Sequence, residues 1–392
     1  MFTLKDSRPV WAEINLNHLA HNIKEVRRLV GRDVVITAVV KADAYGHGAL
    51  LSAKTLLDNG GDRLAVATLS EAMELRKAGI KAEILILGYT PSYQSNSIIE
   101  NGITQTIYNL QGAKALSDEA KKLGKTAKIH LKIDTGMGRL GFLSQEVSIK
   151  EIIEIINLPN IYVEGIFSHF AKADEKDKDF SIQQYERFIR VINDLKKADI
   201  EIPIKHIANS ASIIDMPEYN LDMVRAGIML YGLYPSDEVN KGRVELKPVM
   251  TLKATISNIK TVPKGVGISY GHKFVTDKTY KIGTLPIGYA DGFTRLLTSK
   301  GEVSIKGKRV PIIGSICMDQ CMVDASDFED VNVGDEVILF GDGSMNEPIA
   351  DELASSLGTV NYEIVCMISR RVPRVYIKDN RIVCIKDYLS SL

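Results

Sequence analysis

Lys41 closes an otherwise apolar run, Val35-Ile36-Thr37-Ala38-Val39-Val40, and is the first residue whose type and place suggest a reagent. Burial among apolar groups depresses a lysine pKa and leaves an amine that can condense with a carbonyl. The bland reading is a lysine that snorkels to water or pairs with Asp43. A second group, Asn209, Ser210, Gly227 and Ile228, combines hydroxyl, amide and small residues of the kind that let backbone N–H groups approach a phosphate. Ser210 would serve equally as a helix N-cap, and the two roles are compatible. An imine-forming lysine together with a phosphate cradle points to pyridoxal phosphate more specifically than either does alone.

The elements that must hold these residues show in the hydrophobic pattern. Short apolar runs at 35–42, 63–68, 83–88, 104–109, 128–134, 162–169, 204–209 and 223–232 alternate with segments of helical period, such as 48–59, 69–78 and 181–197. Eight such strands, each followed by a helix, predict an α/β fold built on a parallel (β/α)8 barrel. Its active site would lie at the strand C-termini, which carry Lys41, Asp43, Tyr45, Lys132, Asp134, Arg139, Ser168, His169, Asn209, Ser210 and Arg225. A doubly wound sheet is the alternative, but residues 41–48 lack the G-x-G-x-x-G spacing that it would need. Beyond Pro235 the helical period fades, and strands at 249–262, 303–305, 309–317, 336–340 and 374–377 alternate with turns. One short helix is expected at 349–357. The division predicted is a cofactor-binding barrel over 1–235 and a mainly antiparallel β domain over 236–392. A strand at 10–14 and a helix entered near Asn15 or Asn17 lead the chain.

Composition bounds the partners. The 392 residues hold 49 Lys plus Arg against 49 Asp plus Glu, so no net field favours nucleic acid or an anionic membrane. A neutral chain of this size has little charge repulsion to keep copies apart, and a subunit interface is one remedy for its apolar surface. Four cysteines are too few for a disulfide framework, residues 1–10 lack an apolar leader core, and no run reaches membrane-spanning length. These features predict a soluble cytoplasmic protein. No metal site is expected: Cys317 and Cys321 would share the face of a β-like run as core residues, and His18 and His21 would form a solvated helix face.

The segment Ala38-Val39-Val40-Lys41-Ala42-Asp43-Ala44-Tyr45-Gly46-His47-Gly48 closely resembles the cofactor-lysine signature of the bacterial alanine racemases. Further segments similar to that family are Asp134-Thr135-Gly136-Met137-Gly138-Arg139, His206-Ile207-Ala208-Asn209-Ser210, Arg225 to Gly232, Ser269-Tyr270-Gly271, Gly288 to Gly292 and Cys317-Met318-Asp319. The resemblance implies a pyridoxal-phosphate enzyme with a barrel, a C-terminal β domain and homodimers whose active sites are shared. Lys41 would hold the cofactor as an imine and act as base on one face of the substrate α-carbon. Tyr270, from the partner subunit, would act on the other. Tyr45, Ser210, Gly227, Ile228 and Tyr362 would hold the phosphate, Arg225 would face the pyridine nitrogen, and His169 would bond nearby. Arg139 would reach the phenolic oxygen and the substrate carboxylate, positioned by Lys132 where that lysine is carbamylated. Met318, with Tyr289 and Asp319 nearby, would contact the substrate carboxylate. Asp134 and its glycines could serve only to form a turn.

Physical logic favours racemisation over other pyridoxal chemistry. Two bases on opposite faces let one remove the α-proton while the other delivers one. Tyrosine is a poor base at its reference pKa of about 10, so Tyr270 needs positive charge nearby. A cationic Arg225 disfavours protonation of the pyridine nitrogen, which weakens the electron sink and limits reprotonation at the cofactor. Taken singly, Arg225 could instead pair with Asp222, and His169 could be a satisfied core residue. Among other functions, a decarboxylase of the same architecture would carry a carboxylate where Arg225 stands. A small pyridoxal-binding protein would lack residues 236–392, and a periplasmic broad-specificity racemase would show a leader and a disulfide. A serine-preferring relative differs by one hydroxyl, which a pocket rejects only modestly.

Overall fold

The computed structural model describes residues 8–389, which divide into two compact units. One contains Ala20–Ala44 and Ala49–Leu246; the other contains the described part of 1–19, Tyr45–Gly48 and the described part of 247–392.

In the first unit all eight expected runs are strands: Val35–Val39, Arg63–Val66, Ile84–Ile86, Thr104–Ile107, Ala127–Asp134, Ile161–Phe167, Ile204–His206 and Met223–Ala226. Successive strands pair in parallel from the first to the seventh, and the eighth pairs with the first through Met223 and Val35. The remaining seam is bridged by backbone bonds from Asp222 N to Lys205 O and Arg225 N to Ala208 O, both 3.1 Å. The sheet thus closes into a (β/α)8 barrel. Local chemistry sets the helices that follow. Thr68 and Glu71 form a capping box ahead of Leu69–Lys77, and Asn109 caps Leu110–Leu123, which Gly124 ends at φ 61°.

The eighth run was expected to continue to Gly232 but stops at Ala226. Gly227 turns the backbone (φ −118°, ψ −106°), and Ile228–Tyr231 form a buried 3-10 turn. Apolar runs of this length look alike whether they form a strand or a buried turn.

The segment after the first strand is unusual. Ala42, Asp43, Ala44 and Tyr45 have φ of 52°, 53°, 55° and 53°, a left-handed helical turn without glycine. Such residues visit this region rarely and singly, at roughly 1–2 kcal/mol each. Two carboxylates brace the turn within the barrel unit: Glu71 Oε1 accepts from Ala42 N at 2.6 Å, and Asp43 Oδ1 accepts from Ala49 N at 2.8 Å.

The second unit is built on a ten-stranded, mainly antiparallel sheet. The leading strand, Val10–Asn15, lies in this sheet, antiparallel to Met250–Thr255 and parallel to Arg374–Lys378. Asn15 Oδ1 accepts from Asn17 N and His18 N, which starts the helix Leu16–Val30. The expected long strand at 249–262 is two, Met250–Thr255 and Asn258–Val262, and the strand expected at 309–317 ends at Ile313 before Gly314 at φ 69°. Two helices rather than one follow, Ala350–Leu357 and Asn361–Met367.

Cys317 therefore stands in the loop before the strand Cys321–Asp324, which Cys321 begins; they share no strand face. Cys321 is fully buried, and none of the four cysteines forms a disulfide among the described residues. No metal-holding group of His, Cys, Asp or Glu occurs among the described residues. His18 and His21 are half-buried, and each ring bonds a backbone carbonyl. None of the described helices is long and apolar enough to cross a membrane.

Candidate active site

The barrel unit gathers one set of candidates at its strand C-termini. Lys41 begins the left-handed turn, half-buried where the first strand ends. Ser210 opens the helix Ser210–Asp215, which Asn209 caps by accepting from Ser212 N at 3.1 Å. The Ser210 hydroxyl accepts the N–H of Gly227 at 2.9 Å, so the loops after the seventh and eighth strands are joined. Asp134 Oδ1 accepts three backbone N–H groups, from Gly136, Met137 and Gly138, and so shapes the turn that carries Arg139 to the surface.

Arg225 is buried and forms no ion pair among the described residues. Its guanidinium donates to Nδ1 of His206 (2.6 Å), Nδ1 of His169 (3.1 Å) and the carbonyls of Ser168 and Ile207. Asp222, the alternative partner, instead accepts the backbone N–H of Lys205. Burial and the nearby Arg139 lower the Arg225 pKa to about 9, which leaves it cationic at neutral pH. Burial first and Arg225 second hold His169 well below the usual histidine range. The same two causes bring Lys132 down to about 7. Its Nζ donates to Ile133 O at 2.6 Å and lies 5.5 Å above the Phe167 ring. Among these groups an uncharged Lys132 amine is accessible near neutrality.

The β unit gathers the other set. Tyr270 is 70 % exposed on a loop anchored by Ile268, which packs in a small core with Val262, Ile282 and Ile313. Ser315 Oγ donates to Tyr270 O, and Ser269 Oγ donates to Ser315 O. Tyr289 N and Ala290 N donate to the carbonyls of Cys317 and Met318 at 3.1 and 3.0 Å. Gly288 makes that contact possible: a Cβ there would lie 2.2 Å from Cys317 O. Arg371 donates to Asp319 at 2.8 Å. Tyr270, Tyr289, Met318 and Asp319 thus lie on interlocked loops. In the same unit the Tyr45 and Tyr362 rings stand 6.3 Å apart, and burial pushes the Tyr45 hydroxyl pKa up.

Two family models decide the matter: the alanine racemase N-terminal domain matches residues 14–235, and the alanine racemase C-terminal domain matches 249–376. The chain belongs to the alanine racemase family. It is 53 % identical to the alanine racemase of Clostridium tetani over 387 residues, covering 98 % of this chain and 100 % of that one. The alanine racemase structure of Clostridium difficile superposes with a TM-score of 0.95 at 50 % identity, covering 98 % of this chain and 100 % of that chain. A second structure of that racemase, in complex with cycloserine, gives 0.93 at 48 %, over 98 % of this chain and 100 % of that one. The match spans both domains that such a racemase contains.

Sequence reasoning missed three polar residues behind Arg225, namely His130, Glu164 and Arg63, and gave no role to a fourth, His206, which opens a family-like segment. A signal was present. His130 and Lys132 sit two apart in an apolar strand, so both side chains face the barrel interior.

Proposed function

We propose that this protein interconverts L- and D-alanine with pyridoxal phosphate, using Lys41 and Tyr270 as opposed bases. The donor set suits that cofactor. Ser210, Gly227 and Ile228 would form a neutral cradle for a phosphate, with Asn209 fixing the helix start, and the family resemblance assigns Tyr45 and Tyr362 to the phosphate as well. Bound there, pyridoxal phosphate would supply the electron sink that makes an amino-acid α-proton removable.

The chain's own residues do the rest. Lys41 would hold the cofactor through Nζ and would take or return the substrate α-proton on its face. Tyr270 would do so on the opposite face, reached from the partner subunit of a homodimer. Arg139 would neutralise the substrate carboxylate, with Lys132 behind it, and the backbone of Met318, with Tyr289 and Asp319, would close that end. His169, kept uncharged, would bond beside the cofactor without adding a cation. We place the protein in the cytoplasm, in keeping with four cysteines that form no disulfide among the described residues.

The observation that carries racemisation over decarboxylation or transamination is the set of partners around Arg225. All are neutral acceptors, so no carboxylate among them offsets the guanidinium's charge, which would oppose a proton on the pyridine nitrogen. The test is a panel of single-enantiomer amino acids, with alanine and serine foremost, incubated with protein and pyridoxal phosphate and resolved by chiral separation. Racemic alanine is the expected product. Failure to invert alanine with the cofactor fully bound would reject the reading.

A further inference from the structure

Arg225 is the visible end of a hydrogen-bond chain that crosses the barrel interior. A guanidinium can only donate, so the ring nitrogen 2.6 Å from it, Nδ1 of His206, must accept. A neutral His206 then carries its proton on Nε2, which lies 2.9 Å from Nδ1 of His130. His130 Nδ1 must accept in turn, which leaves its proton on Nε2, 3.0 Å from Oε2 of Glu164. The same carboxylate oxygen is paired with Arg63, at the first residue of the second strand. The donor-only guanidinium at one end and the acceptor carboxylate at the other demand the same direction of every link.

The neighbours are shaped for this chain. A Cβ on Gly165 would lie 2.6 Å from the His130 ring, so only glycine leaves room for it. Phe167 stacks on His206 at 4.7 Å and 8°, while the guanidinium of Arg225 lies 5.2 Å from the Phe167 ring centroid. Burial holds His130 and His206 below the usual histidine range, with Arg225 adding to the effect on His206. A charged His206 would face the guanidinium at hydrogen-bond distance, so the neutral tautomer is the stable one. A buried Arg63–Glu164 pair is a poor source of stability, because desolvation offsets much of its attraction.

We propose that His130 and Glu164 are positioning residues for Arg225: Glu164, anchored by Arg63, sets the tautomers of His130 and His206 and thereby aims the guanidinium. The functional part of this rests on the reading that Arg225 faces the cofactor. Without an acceptor at Glu164, His130 has no reason to keep its proton on Nε2. A proton on Nδ1 of His130 would oppose the Nε2–H of His206, which is relieved when His206 moves its own proton to Nδ1; Arg225 then loses its shortest acceptor.

The experiment compares wild type, Glu164→Gln and the double variant Arg63→Met/Glu164→Leu as holoenzymes labelled with 15N-histidine. Glu164→Gln keeps an oxygen for His130; the double variant removes the acceptor and its counter-charge together, so no lone buried arginine unfolds the barrel. Ring 15N signals of His206 report its tautomer, the visible spectrum reports the cofactor, and alanine kinetics report function. In the double variant we expect His206 to become a tautomer mixture and the cofactor band to shift. We also expect kcat to fall about tenfold, the size typical when an outer hydrogen-bond partner of a metal-bound imidazole is lost, with KM within about threefold. Glu164→Gln should restore most of kcat. An unchanged His206 tautomer in the folded double variant overturns the proposal and leaves the reading of Arg225 intact. If the tautomer mixes, yet kcat and spectrum hold and Arg225→Leu also leaves the cofactor band in place, the placement of Arg225 at the cofactor fails and takes the proposal with it.

Discussion

Oε1 of Glu71 accepts the backbone N–H of Ala42 at 2.6 Å, one residue beyond Lys41. Oε2 of the same side chain accepts from Ala67 N and Thr68 N, so one carboxylate ties the left-handed turn to the start of the next helix. The turn behind Lys41 is therefore held by side chains rather than by glycine. Ala42→Gly should relieve about 1–2 kcal/mol of left-handed strain, against about 0.5–1 kcal/mol of added unfolded-state entropy. Its denaturation midpoint should match or exceed that of wild type, while Ala115→Gly, inside a helix, should lose about 1 kcal/mol. Equal losses in the two variants would contradict a strained turn at Ala42.

Lys41→Ala removes the only amine proposed to bind the cofactor, so the imine absorbance should vanish and turnover drop by at least about a thousandfold. If sites are shared between chains, mixing these subunits with Tyr270→Phe subunits should recover about a quarter of wild-type activity at random pairing. Verified mixed dimers that stay inactive would rule out shared sites.

Lys132 should take up carbon dioxide, because the neutral amine is the reactive form. Its pKa is depressed to about 7, so the neutral fraction rises as pH climbs through that value. Carbamate formation takes the neutral amine and releases a proton, so at fixed dissolved carbon dioxide a 13C-labelled carbamate signal should rise with pH, be present already near pH 7, and be missing in Lys132→Ala. A signal that grows only toward pH 10 would mean that the lysine is not perturbed.

Gly165→Ala should destabilise the barrel by about 1–3 kcal/mol through overpacking, since the new methyl would lie 2.6 Å from the His130 ring. Denaturant titration measures it, and a change below about 0.5 kcal/mol would show that His130 moves aside freely.

The barrel was legible because its strands are buried on both faces, so eight Val- and Ile-rich runs stand out from the helices between them. Lys41, Arg225 and Ser210 were legible for the related reason that they interrupt or end such runs. What escaped was carried by contacts distant in sequence. Nothing in Ala42-Asp43-Ala44 announces left-handed backbone, since the usual glycine signal is missing and the brace comes from Glu71. Ile228–Tyr231 is as apolar as a strand yet turns, and Asn361–Met367 is too short for a helical period to establish itself. The links from Arg225 to Glu164 join residues 19 to 76 positions apart, and only barrel closure brings them together.

The central claim is that two bases flank the α-carbon, and Tyr270→Phe tests it most directly. Exchange of the α-hydrogen with deuterated solvent should be followed separately from L- and D-alanine in the cofactor-loaded variant. The account predicts that one enantiomer still exchanges, through Lys41, while the other and net racemisation fall at least about a hundredfold. Equal exchange from both enantiomers, whether retained or lost, would contradict it.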